Sequence, residues 1–354
     1  MEIKSFGTMR SGEKIDSITL KNAAGTELEL LNIGAVIRSL KVRDREGNLR
    51  DVVLGYDSVD RYEKNYAFFG ATVGRYANRI ASGTFELNGK TYSVPVWRGK
   101  GVSLHCLPDT YSFRFWNYEA VREQDGECVT FYLDSPDGDQ GLPGNLFFAV
   151  TYHLTDDNEV ILEYYAESDA DTLLNPTNHT YFNLSGHASG NVLNHTLKIL
   201  SDEIPVYDDA ICPIGSFEKI GGTAYDFQTE KTIGQDVRAK VRGITENYGY
   251  DVAYVVNGGK KIEESRYIGT LASPDSGISM EVYTDMPAVQ LYTANRMRID
   301  NAKDDASYRN YGGCCLETGF VANGINIGLE ENAVLKAGEP FSSVTVYRFL
   351  TEER

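Results

Sequence analysis

His179 stands in the stretch LLNPTNHTYFNLSG, surrounded by Asn175, Thr177, Asn178, Thr180, Tyr181 and Asn183. So many amides and hydroxyls are costly to bury unless they pair with one another or with a polar ligand. A polar network that fixes a loop and a ligand site both fit this composition. The imidazole makes proton transfer near neutral pH available to the second of these. Glu317, in YGGCCLETGF, follows small and apolar residues. A carboxylate drawn into a core there has its pKa raised and serves as a general base. A surface glutamate at a strand end fits the same pattern equally well. Arg75, Asn78 and Arg79 in GATVGRYANRI form a second polar group, either for a ligand or for pairing with the many acidic residues. Asp251, in NYGYDVAYVVNG, reads as a ligand-binding carboxylate or as a plain turn aspartate.

The other imidazoles carry less. His153 lies inside a strand pattern, TYHLT, and His187 and His195 lie in HASGNVLNHTL, where structural hydrogen bonds account for them. His105 is followed directly by Cys106, and adjacent residues rarely ligate one ion together. No CxxC, no HExxH and no His pair with a carboxylate at ligand spacing appears, so no metal is expected. GxGxxG, GxxxxGK[ST] and GxSxG are absent too, so neither a nucleotide cofactor nor a nucleophile-elbow hydrolase is implied.

The elements that must position these groups are strands. Runs such as ELELLNIGAVIRSLKVRD, GTFELNGKTYSV and FFAVTYHLTDDNEVILEYYAES alternate apolar and polar residues and are bounded by Gly, Asn or Asp turns. LTDDNEVIL reads as a hairpin turn with its flanks. Helix signals are confined to residues 58–65, with Ser58 as N-cap, and 232–241. With no alternating βα units, no low-complexity linker and no fixed repeat, residues 1–354 read as one all-β domain, a large antiparallel β-sandwich. The 23 Tyr and 15 Phe suit strands, and a Tyr ring also packs on the apolar face of a pyranose.

A net charge of −17 argues against nucleic acid and anionic membrane as partners. The N-terminal MEIKSFGTMRSGEKIDSI lacks the apolar core of a secretory signal, and no apolar run is long enough to span a bilayer. Five Cys, two of them adjacent at 314 and 315, fit a reduced, cytoplasmic chain. The N-x-S/T matches at Asn178, Asn183 and Asn194 are then expected to be unmodified.

Seven segments in order resemble the aldose 1-epimerase (galactose mutarotase) family: GRYANRIASGTFELNGKTY, SLHC, TNHTYFNLSG, the segment ending in TAYDF, YDVAYV, PAVQLYTAN and CLET. The resemblance implies the mutarotase supersandwich and the interconversion of α and β anomers of a free aldohexose such as galactose or glucose. It implies Glu317 as catalytic base and His179 as catalytic acid. It places His105 near the ring oxygen, and Asn78, Arg79, Asp251 and Gln290 on the sugar hydroxyls. The reaction takes one proton from the anomeric hydroxyl and gives one to the ring oxygen, and it needs no cofactor. The implied partner is a small sugar, and the chain is a monomer or a homodimer.

Four departures from the family pattern are expected to lie near the sugar. CLPD follows His105 where the family has Gly-Gly, and that loop is expected to take another backbone path. Asp251 precedes Val-Ala, LETGFVANGIN replaces the usual sequence after the glutamate, and GLPGN lacks an aromatic. Competing readings are an epimerase of another sugar or of a hexose 6-phosphate, a non-catalytic carbohydrate-binding protein, and a glycosidase. The phosphate reading needs an Arg cluster, for which Arg75 and Arg79 are the candidates. The glycosidase reading needs paired carboxylates, and only Glu317 stands out.

Overall fold

In strand Glu159–Ser168, Val160, Leu162, Tyr164 and Ala166 are buried, while the residues between them are partly or fully exposed. That two-residue period puts one face on a core and the other in water. In the computed structural model, which describes residues 1–97, 101–123, 126–329 and 333–352, this strand is fourth in a nine-stranded antiparallel sheet. The order is Asn117–Glu123, Gly126–Ser135, Leu146–Leu154, Glu159–Ser168, Phe341–Thr351, Ile278–Thr284, Arg266–Ala272, Thr196–Ile199 and Lys231–Thr232. The expected hairpin is present: Leu146–Leu154 pairs with Glu159–Ser168. Asn158 in its turn has φ 60°, a conformation that Asn tolerates.

A second antiparallel sheet is built from Glu2–Thr8, Lys14–Lys21, Glu27–Leu31, Val36–Arg43 and Leu49–Asp51, paired in that order. Its Ile18, Leu20, Leu28, Leu30 and Ile37 share one apolar cluster with Val129, Phe131, Phe148, Val150 and Leu162 of the larger sheet. Two sheets closing on a shared core make the all-β antiparallel sandwich that the alternation predicted.

Helices are few and short. The expected helix over 58–65 forms only at Val59–Tyr62, with Ser58 at the N-cap position but no capping bond from its side chain. No helix forms over 232–241. Lys231–Thr232 joins the edge of the large sheet against Thr196 and Leu197, and a 3-10 turn at Ile233–Gln235 follows. Sheet pairing there overrides a weak helical propensity. A four-residue helix at Ile244–Asn247 had no sequence signal. No helix among the described residues is long and apolar enough to cross a membrane. All five cysteines are buried, and Cys106, Cys212, Cys314 and Cys315 are free thiols.

A three-stranded sheet of Asp251–Val255, Ala288–Tyr292 and Cys315–Gly319 completes the frame. Val252, Tyr254, Val289, Leu291 and Leu316 on one of its faces enter the main core. The opposite face carries the groups described next.

Candidate active site

Directly opposed residues of neighbouring strands point to the same face. In the three-stranded sheet Asp251 opposes Tyr292, Tyr292 opposes Cys315, and Gln290 opposes Glu317. These five side chains therefore share the face turned away from the core. Gln290 bridges them: its Nε2 donates to Asp251 Oδ1 at 2.7 Å. Asp251 is the first residue of its strand, so a plain turn role does not describe it.

His179 arrives from another direction. Thr177–Asn178 pairs with Thr72–Val73, and the chain then continues without regular structure. The buried Asn178 side chain holds this stretch. Its Nδ2 donates to Gly70 O (3.0 Å) and Tyr152 Oη (3.2 Å), and its Oδ1 accepts from Thr180 N (3.1 Å) and Oγ1 (2.5 Å). His179 turns the other way and stacks on Tyr181, with ring centroids 5.0 Å apart. The dense amides of this segment thus serve both readings of it: Asn178 fixes the loop and His179 faces the cavity.

The third contribution comes from strand Arg79–Ala81, paired with Val102–Leu104. Just beyond the pair, Asn78 and His105 lock together. His105 N donates to Asn78 O at 2.9 Å, and His105 Nδ1 accepts from Asn78 N at 3.1 Å. Because Nδ1 accepts, the proton of neutral His105 sits on Nε2. Arg79 donates to Asn78 Oδ1 (3.1 Å) and to Asp251 Oδ2 (3.2 Å), which ties this segment to the sheet.

Glu317, His179, His105, Asn78, Arg79, Asp251 and Gln290 all line one cavity of about 180 Å³. Tyr66, Phe68, Leu104, Tyr181 and Tyr292 complete its wall; all but Tyr181 were not singled out from sequence, because nothing distinguishes them from ordinary apolar and aromatic residues. A larger cavity of about 320 Å³ adjoins through Asp251, but of the seven it meets that residue alone.

At the base of the smaller cavity, His179 Nε2 and Glu317 Oε1 are 3.6 Å apart, both side chains about 5% exposed. Burial dominates their ionisation. It pushes Glu317 well above the usual carboxylate range; the charge of Asp251 adds to the push and that of Arg79 opposes it. Burial also pulls His179 down to about 4, against the opposing effects of its own backbone carbonyl and Asp251. His105 is held well below its ordinary value by burial, then by the charges of His179 and Arg79. Both shifts favour the arrangement in which the pair's proton rests on Glu317 beside a neutral imidazole. The sequence-based assignment, carboxylate Glu317 and imidazolium His179, is the same one-proton pair in its other arrangement.

Cys315, which sequence reasoning passed over, lies against the same imidazole, its Sγ 3.5 Å from His179 Nδ1. His179, Cys315 and Glu317 thus offer three ligand types within 4.8 Å of one another, a donor set that suits zinc. Nδ1 is the nitrogen that meets the sulfur and Nε2 the one that faces the carboxylate.

Several expectations need correction. Arg75 is not in the cavity. It is fully buried and donates to Pro143 O, Gly144 O, Ser135 Oγ and Thr172 Oγ1, so it knits loops together. The loop after His105 does not avoid glycine-like backbone: Cys106 has φ 55°, held by sulfur contacts of 3.4 Å to Tyr76 N and O. GLPGN does not line the cavity; its Pro143 and Gly144 carbonyls cradle Arg75. Val252, next to Asp251, faces the core, while Gly319 and Phe320 line a small cleft behind Glu317. His153, His187 and His195 bond to Glu163, Tyr308 and Leu184 N respectively, as structural histidines.

An acid–base pair at the foot of a polar, aromatic-walled cavity, on an antiparallel supersandwich, defines an enzyme that moves protons on a small hydroxylated molecule. The aldose 1-epimerase family profile matches residues 16–348. The aldose 1-epimerase of Escherichia coli K12 is 35% identical over 351 residues, covering 96% of this chain and 97% of that protein. Bovine galactose mutarotase is 34% identical over 323 residues, covering 91% and 90%. The crystal structure of galactose 1-epimerase from Lactobacillus acidophilus NCFM superposes with a TM-score of 0.86 at 25% identity, over 99% of each chain. The chain belongs to the aldose 1-epimerase family.

Proposed function

We propose that this chain interconverts the α and β anomers of a free aldohexose, such as galactose or glucose, by acid–base opening and closure of the ring. The observation that carries the reading is the buried Glu317–His179 pair, 3.6 Å apart, at a cavity lined by hydroxyl-binding groups. In the reactive arrangement Glu317 takes the proton of the anomeric hydroxyl and His179 gives one to the ring oxygen. After ring opening the pair is protonated Glu317 and neutral His179, the arrangement that burial favours. The open-chain sugar then rotates about C1–C2 and closes with the two roles reversed. Neutral His105, with its proton on Nε2, supplies a hydrogen bond without competing as an acid. Asn78, Arg79, Asp251 and Gln290 bind hydroxyls away from the anomeric carbon.

General acid–base catalysis contributes about 10²–10⁴-fold per group, or roughly 3–5 kcal/mol. Two such groups are ample for a reaction that proceeds unaided in water. A hexose 6-phosphate is disfavoured, because Arg75 is buried on backbone carbonyls and Arg79 is engaged by Asp251. A purely sugar-binding role does not require a buried acid–base pair, whose desolvation costs stability. The reading includes a single catalytic domain over 1–354, a cytoplasmic location, and a monomer or homodimer.

Polarimetry on freshly dissolved α-D-galactose and α-D-glucose tests it. The protein is expected to speed equilibration of at least one, with the rate unchanged by EDTA. Glu317→Gln and His179→Asn are each expected to lower kcat by about 10²–10⁴-fold. Sugar binding without any acceleration would establish a binding protein instead.

A further inference from the structure

We propose that Cys315 is a positioning residue for His179: its sulfur accepts the Nδ1–H of the ring and so keeps Nε2, the nitrogen facing Glu317, as the one that exchanges the catalytic proton. This rests on the acid–base reading of the site.

The geometry divides the work of holding the ring. Tyr181 and Phe68 stack on His179 at interplanar angles of 25° and 20°, with centroids 5.0 and 5.6 Å away. Stacking sets the plane of the imidazole but not its rotation within that plane. The edge partners set the rotation: Cys315 Sγ lies 3.5 Å from Nδ1, and Glu317 Oε1 lies 3.6 Å from Nε2. Both partners belong to strand Cys315–Gly319, two residues apart on one face, and the strand is held in register by Ala288–Tyr292. One rigid element therefore addresses both nitrogens.

The proton inventory gives the direction of the sulfur bond. Once His179 has given its Nε2 proton to the ring oxygen of the sugar, the single proton of the neutral imidazole must sit on Nδ1. The sulfur stands in its path. Cys315 is fully buried, and that burial, with the charge of Glu317, keeps the thiol un-ionised. A thiol sulfur is a weak, neutral acceptor. It orients the ring without stabilising imidazolium as a carboxylate would, so His179 remains ready to release its Nε2 proton.

Nitrogen-15 NMR of the ¹⁵N-histidine-labelled enzyme tests this, with the His179 resonances located by their loss in His179→Asn. The expected spectrum near neutral pH has Nδ1 protonated and Nε2 bare. Cys315→Ala is expected to mix the tautomers and lower kcat by about 3- to 10-fold, the worth of one ordinary hydrogen bond, with KM within about twofold because sugar contacts are untouched. Cys315→Ser, which restores a neutral acceptor, is expected to recover most of that loss. A wild-type spectrum with Nε2 protonated and Nδ1 bare overturns the inference, and needs no variant to fold. So does a folded Cys315→Ala enzyme with unchanged tautomer and kcat. If instead Glu317→Gln and His179→Asn retain full mutarotation, the acid–base reading itself fails, an outcome read separately from those at Cys315.

Discussion

On the acid–base reading, Glu317 and His179 share one proton in a space that disfavours charge on either, so nearby fixed charges decide the pH range in which the one-proton pair exists. Asp251 is the anion that raises both groups, and Arg79 is the cation that lowers Glu317. Removing a negative charge makes every proton on the pair easier to lose, whichever atom holds it. Asp251→Asn therefore lowers both apparent pKa values that bound the active form. The direction follows from the proton count: the acid limb of kcat/KM marks loss of a second proton, the alkaline limb loss of the last, and both move to lower pH. The same substitution weakens the contacts to Gln290 and Arg79. KM for the sugar is thus expected to rise more than kcat falls. Initial-rate polarimetry from pH 5 to 9 checks this, and an upward shift of either limb would refute the charge argument.

At the scale of elements, the site is a floor of three strands met by two irregular segments, and the segments rely on side-chain bonds for their shape. Asn178 holds the His179 segment through four hydrogen bonds in a buried setting. Asn178→Ala takes the acceptor from Thr180 N and Thr180 Oγ1, while Gly70 O keeps its bond from Ile37 N. Buried groups left unsatisfied cost about 1–3 kcal/mol each, so a loss of about 2–4 kcal/mol is expected in denaturant unfolding, together with a lower kcat from a displaced His179. Unchanged stability would mean that the loop is held some other way. The amide-rich composition around His179 made a polar network legible in the sequence, and alternation made the sandwich legible. The mate of each polar group was not, because pairing partners lie up to 145 residues apart, as Asn175 and Phe320 do. Cys315 went unmarked for the same reason: only the three-stranded register brings its sulfur to Nδ1 of the imidazole. The helix expected over 232–241 failed because local propensity carries no knowledge of a free sheet edge. Arg75 looked like Arg79, four residues on, yet Arg75 precedes the strand that Arg79 begins, and one entered the interior while the other reached the cavity.

The whole molecule is tied together by its last strand. Phe341–Thr351 lies in the middle of the nine-stranded sheet, between Glu159–Ser168 and Ile278–Thr284. It joins strands from the first half of the chain to strands from the second. Behind the site it braces the Glu317 strand: Tyr347 Oη donates to Leu316 O at 3.0 Å, and Thr345 Oγ1 meets Thr318 Oγ1 at 2.6 Å. Without it, two long sheet edges open to solvent and to other chains, and Tyr347 and Phe349 leave the main core. Removing residues 341–354 is therefore expected to give an aggregating, inactive chain rather than a trimmed enzyme. The intact chain is expected to unfold as one cooperative unit, with matching calorimetric and van't Hoff enthalpies. This follows because the site gathers residues from 78 to 317 and the nine-stranded sheet that braces the Glu317 strand is joined only by residues after 340. A truncated protein that stays soluble, melts cooperatively and retains sugar binding would show that the halves fold separately, and would refute the proposal of a single domain.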